Sequence, residues 1–178
     1  MNNRPIRYCP YCGLKVIKKS ISGEEHPACP SCDWIYFSDP KVAAAVLVKK
    51  NEKVLLTRRV YDPFSGRWSL PAGFINAGED AVDAAIRECR EETGLDVSIT
   101  RLKEVFTGRE HDLGADITLI YDGEIVGGTL KAADDTDRAA FFAMDSLPPL
   151  AFRTTHAVLG VEFIKPILNR DDHKHAKS

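Results

Sequence analysis

Glu88, Glu91 and Glu92 are the residues in this 178-residue chain whose types and spacing point most directly to chemistry. Three and four positions apart, they are immediate neighbours on a helix, where like charges repel by roughly 0.2–0.5 kcal/mol per pair. They fall in its last turns, where the helix dipole is already negative. Residues 79–96 hold seven acids (Glu79, Asp80, Asp83, Glu88, Glu91, Glu92, Asp96) against Arg87 and Arg90 alone. Asp83 can pair with Arg87 at i,i+4, which leaves the trio in surplus. A solvated acidic face is the bland alternative. The sharper reading is a hard divalent ion, Mg²⁺ or Mn²⁺, because oxygen-only ligands at this density suit such ions and their open positions bind phosphate. The loop before the helix, residues 71–78, carries Gly73 and Gly78 and can bring main-chain carbonyls to the helix flank.

A second constellation is Cys9-Pro-Tyr-Cys12 and Cys29-Pro-Ser-Cys32, two CxxC pairs separated by 16 residues. One tight turn aims two thiolates at one ion, and two such turns complete the tetrahedron of Zn²⁺. Disulfides call for an export signal, and a redox motif needs only one pair. Four thiolates leave no open position, so this zinc is expected to be structural. Cys89, the fifth cysteine, is expected to be core.

These residues need elements to hold them. Ribbon strands are expected at 14–17 and 34–37, with a junction at Ser38-Asp39-Pro40. A strand pair follows at 42–48 and 54–57, turned at 50–52. The periodicity predicts a helix over 79–93 stopped by Gly94, strands near 97–107, 115–121 and 139–142, a turn at Gly127-Gly128, and a closing helix over 155–168 weakened by Pro166. On the first helix Val82, Ala85, Ile86 and Cys89 form the packed face, with the three glutamates nearly opposite. The fold class is α+β with a mixed sheet. The expected organisation is a zinc ribbon at 1–38, a main domain at 39–168 and a polar tail at 169–178.

Composition sets the outer limits. Hydrophobic residues at 44% and charged residues at 28% are ordinary for a globular chain, which excludes disordered, collagen-like and coiled-coil classes. The 24 basic against 26 acidic residues give −2. Up to residue 40, Arg4, Arg7, Lys15, Lys18 and Lys19 stand against Glu24, Glu25, Asp33 and Asp39, a balance of +1. That is a weak footprint for nucleic acid, which is not an expected partner. No run approaches the ~18 apolar residues of a membrane span, and the start MNNRPIRYCP lacks the apolar core of a secretory signal. No membrane partner and a cytoplasmic location are expected.

Residues 73–95, GFINAGEDAVDAAIRECREETGL, resemble the Nudix signature: Gly, five residues, Glu, seven residues, Arg-Glu, an aliphatic position, one residue, Glu-Glu, one residue, Gly, an aliphatic position. Every charged and glycine position matches. Cys89 occupies an aliphatic slot, and Ala72 stands where many relatives have glycine. The resemblance implies an α/β/α sandwich and Mg²⁺- or Mn²⁺-dependent hydrolysis of a nucleoside diphosphate linked to another moiety. By position, Glu88, Glu91 and Glu92 would hold the divalent ions, the Gly73 carbonyl would complete the shell, Arg87 would orient a carboxylate and Glu79 would support the loop-helix junction. The general base stays open between a box glutamate and a later loop, where Glu110, Asp112, Asp134 and Asp137 are candidates. Arg58, Arg59 and Arg109 are candidates to grip phosphates, and Phe74, Trp68 and Phe106 to stack on a base, against the alternative that these aromatics are core. A ribbon joined to such a domain resembles the group that hydrolyses ADP-ribose, FAD or NADH. No proline lies between Pro71 and Pro148, where NADH enzymes and one ADP-ribose group carry their fingerprints, and the long leading region of the NADH enzymes is not present before the ribbon. ADP-ribose or FAD is therefore the expected substrate. An NADH or nucleoside triphosphate pyrophosphatase, or a ligand-sensing regulator, are the alternatives. Nudix relatives often form homodimers.

Overall fold

The computed structural model describes residues 5–163. Near its start, β1 (Ile17–Ile21) and β2 (Glu24–Ala28) form an antiparallel hairpin turned at Ser22-Gly23, both with positive φ. The strands expected at 14–17 and 34–37 are largely replaced by isolated bridges, Tyr8 with Lys15 and Ala28 with Ile35. The true hairpin lies between the cysteine pairs. Its strands read IKKSI and EEHPA, too charged to show the apolar alternation that marks a strand.

Each CxxC pair is closed by backbone bonds. Cys9 N–H donates to Leu14 O (2.8 Å), Gly13 N–H to Cys9 O (2.9 Å) and Cys29 N–H to Trp34 O (2.7 Å). All four Sγ atoms lie within 4.8 Å of one another, with Cys9–Cys32 and Cys12–Cys29 at 3.4 Å and Cys12–Cys32 at 3.7 Å. A zinc tetrahedron with ~2.3 Å bonds has sulfur–sulfur edges of about 3.8 Å. The Ser31 N–H, 3.4 Å from its sulfur, helps draw the Cys29 thiol down to about 7, whereas crowding by Cys9 and Cys29 pushes Cys32 up to about 12. Four sulfurs this close ionise together only around a cation, so the donor set fits Zn²⁺.

The larger part is built on β3 (Val42–Lys50), whose alternation buries both faces: Ala44, Val46 and Val48 on one side, Ala45 and Leu47 on the other. It turns at Asn51-Glu52, both with positive φ, into β4 (Lys53–Arg59). Short β5 (Trp68–Ser69) and β6 (Ala72–Phe74) lead to α1 (Ala81–Thr93). Then come β7 (Leu95–Thr107), β8 (Ile117–Gly128), β9 (Thr136–Ala143) and α2 (Arg153–Leu159). β3 pairs parallel with β8 and antiparallel with β6, β8 pairs with β7, and β4 takes β5 and β9. The sheet is mixed. α1 covers one face through Ala84, Ala85 and Cys89, and Leu159 of α2 packs on the other with Leu56, Trp68 and Ile120. This is the expected α/β/α sandwich.

Several boundaries differ from expectation. Asp80 caps α1 rather than lying inside it, accepting from Val82 N–H at 2.7 Å, and Gly94 ends it with φ 69°. Gly127-Gly128 is not a turn but the end of β8, paired with Asp96 and Leu95. A Cβ on Gly128 would lie 2.3 Å from Gly94 O and its φ is 83°, so close backbone approach and a left-handed conformation at the strand end together call for glycine there. The closing helix runs over Arg153–Leu159 and stops at left-handed Gly160. The part expected over 164–168, and the 169–178 tail, lie outside the described residues. No helix among the described residues is long and apolar enough to cross a membrane.

Protein purified under reducing conditions should carry about one tightly bound zinc per chain by elemental analysis. Cys12→Ser should lower that content severalfold and raise protease cleavage within residues 9–32. A zinc-free parent with an equally protected N-terminus would contradict the assignment.

Candidate active site

α1 forms because Asp80 caps it and its alanines and Cys89 pack on the sheet, and that packing sets which glutamates reach solvent. Glu92 does not. It is 5% exposed and shares the packed side with Ala85 and Cys89, seven and three positions earlier. The expectation that all three glutamates lie opposite the packed face is corrected here: Glu88 is mostly covered at 13% side-chain exposure, and only Glu91, at 46%, is open. The sheet wraps the helix further round than its apolar residues suggest.

Arg87 organises the cluster. Its guanidinium donates to Glu79 (2.6 and 3.0 Å), Glu88 (2.7 Å), Glu91 (2.9 Å) and Phe74 O (3.1 Å). Glu79 in turn accepts from Asn76 N–H at 2.8 Å. Arg87 and the loop N–H bonds hold the Glu79 carboxyl down at about 2. The partners of Arg87 are thus Glu79, Glu88 and Glu91 rather than Asp83. Arg90 lies 3.4 Å from Asp96.

Glu88 reaches the preceding strand through a missing side chain. A Cβ on Gly73 would sit 2.0 Å from the Glu88 carboxyl carbon, so the glycine is the cradle in which that carboxylate rests. Burial raises the Glu88 carboxyl above its ordinary value, with Arg87 opposing and Glu91 and Asp135 adding. Glu92 is raised well above its ordinary value by burial, then by Asp135 and Glu88. Its Oε2 accepts from Thr57 Oγ1 at 3.1 Å, and the Ala72 N–H also favours the charged form. Taking a carboxylate out of water costs several kcal/mol. Charge-assisted hydrogen bonds return about 1.5–3 kcal/mol each, and two acidic neighbours add to the cost. A cation among Glu88, Glu92 and the Gly73 cradle relieves that strain, so an oxygen-only donor set of this kind fits a hard divalent ion. Among the described residues only the four cysteines bring three or more candidate ligand atoms within 4.8 Å of one another. The box glutamates share a neighbourhood, and Arg87 bridges two of them.

Asp135 lies outside the loop acids expected from the sequence, and backbone bonding is what brings it here. The carbonyls at the end of α1 are satisfied by the loop before β9: Glu92 O accepts from Ala133 N–H (3.2 Å) and Thr136 Oγ1 (3.0 Å), Thr93 O from Lys131 N–H (2.8 Å), Gly94 O from Thr129 N–H (3.1 Å). That brings Asp135 to the glutamates and into the wall of a cavity of about 290 Å³. A smaller recess of about 30 Å³ next to Glu92 and Thr57 shares Arg59, Asp135, Ala72 and Phe152 with it. The named loop candidates lie otherwise. Glu110 lines the cavity but accepts from Arg153 and Thr154 N–H (2.6 and 3.1 Å), Asp137 pairs with Arg58, and Asp134 sits at positive φ.

Of the phosphate-gripping candidates, only Arg59 lines the cavity. It lies 4.8 Å from the Phe152 ring centre, and burial lowers its pKa despite Asp135, Glu92 and Asp62 nearby. Arg58 is held by Asp137 and Arg109 by Asp116 (2.7–3.1 Å), so both have structural partners. Phe74 lines the cavity with Lys41 5.1 Å over its ring. Trp68 packs edge-on against Phe142 and Phe106 packs on the same core, which answers the choice for these two in favour of core.

Comparison with known proteins bears on what this arrangement is. The NUDIX domain family model matches residues 39–160. An ADP-ribose pyrophosphatase of Methanocaldococcus jannaschii is 40% identical over 114 residues, 64% of this chain and 68% of that protein. The NAD-capped RNA hydrolase NudC of Pseudomonas aeruginosa is 30% identical over 149 residues, 83% of this chain, which spans only about half (51%) of that relative's length. Among solved structures, a NUDIX hydrolase from Nitrosomonas europaea superposes with a TM-score of 0.77 at 28% identity, covering 86% of this chain and 88% of that one.

Gly73→Ala should fold, because the group displaced is the end of a flexible side chain, yet lose at least about a hundredfold in divalent-ion-dependent turnover. Parental activity would remove the cradle from the site. Glu79→Gln should flatten the acid limb of a Tm-against-pH curve. The Glu79 contribution is complete above the ordinary value of 4.5 and is lost as pH falls toward about 2, so the variant should lose less than the parent over that window.

Proposed function

We propose, because the chain belongs to the NUDIX family, that it hydrolyses the pyrophosphate of a nucleoside diphosphate joined to another moiety, with ADP-ribose its preferred substrate. The observation that carries this is Glu92: a buried carboxylate whose charged form Asp135 and Glu88 further disfavour, lining a recess that shares Arg59 and Asp135 with the 290 Å³ cavity, where Arg59 is the one lining arginine among the described residues. Glu88, Glu91 and Glu92, with the Gly73 carbonyl, would hold Mg²⁺ or Mn²⁺. Bound there, the ion supplies positive charge against the pyrophosphate and acidifies water.

The chain's own residues do the rest. Arg87 fixes Glu88 and Glu91 while Glu79 anchors Arg87 to the loop. Thr57 and the Ala72 N–H aim the Glu92 carboxylate. Arg59 is placed to meet a phosphate oxygen, and Asp135 on the facing loop is placed to accept a proton from water. Water oxygen adds to one phosphorus, the bond from that phosphorus to the bridging oxygen breaks, and the bridging oxygen leaves with the other phosphate. ADP-ribose then gives AMP and ribose 5-phosphate. Likeness to the M. jannaschii pyrophosphatase favours ADP-ribose, while likeness to NudC makes an NAD-type dinucleotide the second reading. Zn²⁺ on Cys9, Cys12, Cys29 and Cys32 serves structure alone, since four sulfurs complete its shell.

A Mg²⁺-dependent panel of ADP-ribose, NADH, FAD and an oxidised nucleoside triphosphate tests this. ADP-ribose should give the highest kcat/KM, with AMP as product. Release of inorganic pyrophosphate from the triphosphate at a higher kcat/KM would reassign the substrate. Glu92→Gln, with folding verified, should lower kcat at least about a hundredfold. Unchanged turnover would remove the proposed mechanism.

A further inference from the structure

Arg59 stands among three acids without pairing to any of them. It lines both the 290 Å³ cavity and the recess beside Glu92, and Asp135, Glu92 and Asp62 are all close enough to act on its charge. The other arginines near the site are engaged: Arg58 by Asp137, Arg109 by Asp116, Arg87 by Glu79, Glu88 and Glu91. Among the described residues the one side-chain hydrogen bond of Arg59 runs from Nε to Pro63 O at 3.2 Å, which leaves both terminal nitrogens without a partner. Neither is sealed from solvent, since His111 Nδ1 is the one buried side-chain nitrogen or oxygen that lacks a partner among the described residues.

Rings stand where the carboxylates would. The guanidinium carbon lies 4.8 Å from the centre of the Phe152 ring. Phe152 meets His111 with 22° between planes at 5.8 Å and Phe64 edge-on at 5.4 Å, and Phe64 is also edge-on to His111 at 6.4 Å. The three rings come from the loop after β4, the loop after β7 and the entry to α2, and each segment is fastened. Glu110, beside His111, accepts from Arg153 and Thr154 N–H next to Phe152 (2.6 and 3.1 Å), and Gly108 N–H closes the base of the β7 loop on Asp116 O (2.9 Å). Phe64 O accepts from Arg67 N–H at 3.1 Å, and Phe64 holds a φ of 72°, a left-handed conformation that bulky side chains rarely adopt. Strain of this kind persists only where the surroundings over-determine it. The same loop supplies Pro63 O, so it fixes one edge of the guanidinium while Phe152 backs it. Burial and nearby Arg59 lower the His111 pKa, which favours a neutral ring that adds no charge against the arginine.

An aromatic ring attracts a guanidinium through its π face and leaves the N–H donors available, whereas a carboxylate would occupy them. Remove the ring, and the three nearby acids become competing partners. We propose that Phe152, braced by His111 and Phe64, is a positioning residue that holds the Arg59 guanidinium off Asp62, Glu92 and Asp135 and so keeps its two terminal nitrogens for the phosphate oxygens of the substrate. This deepens the reading above and rests on it, since Arg59 is the residue that meets phosphate there.

The test uses the full chain and α,β-methylene-ADP, a nucleoside diphosphate whose carbon bridge cannot be hydrolysed, titrated calorimetrically with Mg²⁺ so that binding is read without turnover. Phe152→Leu removes the ring, Phe152→Met is a second ring-free variant, Phe152→Tyr keeps a ring, and Arg59→Met removes the guanidinium. With folding verified by thermal melts, we expect both ring-free variants to weaken binding about tenfold or more, as for a lost charge-assisted hydrogen bond, and Phe152→Tyr to stay within about threefold of the parent. The decisive readout is coupling. Phe152→Leu added to Arg59→Met should cost less than about twofold further, because the arginine through which the ring acts is already gone. A ring that merely supports the cavity would weaken binding by the same factor in both backgrounds, and that result would overturn the assignment. Unchanged affinity in the ring-free variants, or no measurable binding by the parent, would overturn it too. Unchanged affinity in Phe152→Leu alongside turnover of ADP-ribose by the parent would sink this inference alone. Coupled loss of binding in a protein that hydrolyses no member of the panel would sink the hydrolase reading and leave the phosphate site.

Discussion

The candidate site depends on one guanidinium. Arg87 spans Glu79, Glu88, Glu91 and the Phe74 carbonyl, so it joins the loop before α1 to two turns of the helix. Its planar fork suits this, because several donors leave one rigid group in fixed directions where a lysine would offer a single point charge. It also changes the meaning of the acidic surplus. Glu79, Glu88 and Glu91 share the single positive charge of a residue within the same segment, and burial concentrates the remaining electrostatic strain on the covered carboxylates Glu88 and Glu92.

A second constraint follows from the end of α1. Its last carbonyls need donors, and the loop before β9 supplies them. Because that loop must lie against the helix, Asp135 and Thr136 come to Glu92 without any local signal in their own sequence. The opposite wall is built the same way from distant segments: Glu110 binds the start of α2, and His111 meets Phe152. Helix-end satisfaction thus shapes two sides of one cavity, and the chemistry of the site is set partly by bonds whose first role is to pair backbone groups.

Much of this was legible in the sequence where a local rule operates. The CxxC pairs, the box residues 73–95, the Gly94 stop and the turn at 50–52 each rest on a few adjacent residues, and each is present in the structure. The misreadings share a cause. Glu92 was placed opposite the packed face because the wheel counts apolar residues, whereas the sheet buries the helix by position, carboxylate included. Gly127-Gly128 suggested a turn because paired glycines usually reverse the chain, whereas here Gly128, at left-handed φ, ends a strand pressed against Gly94 and Leu95. Charged β1 and β2 lack the apolar alternation of a half-buried strand because both are mostly exposed, and their hairpin is closed by the turn at Ser22-Gly23.

What the chain determined by itself is the set of donors: four thiolates at zinc spacing, three glutamates at helical spacing, and an arginine among them. Spacing along one element is enough to fix these, since the covalent chain carries the geometry. Only the tertiary structure decided which carboxylates lose their water, that Asp135 comes near them, and that Arg58 and Arg109 are engaged elsewhere while Arg59 lines the cavity. Burial and pairing are properties of what packs against a residue; apart from Asp116, seven positions from Arg109, the hydrogen-bonding partners lie 35 to 79 positions away in the sequence, beyond the reach of a local pattern.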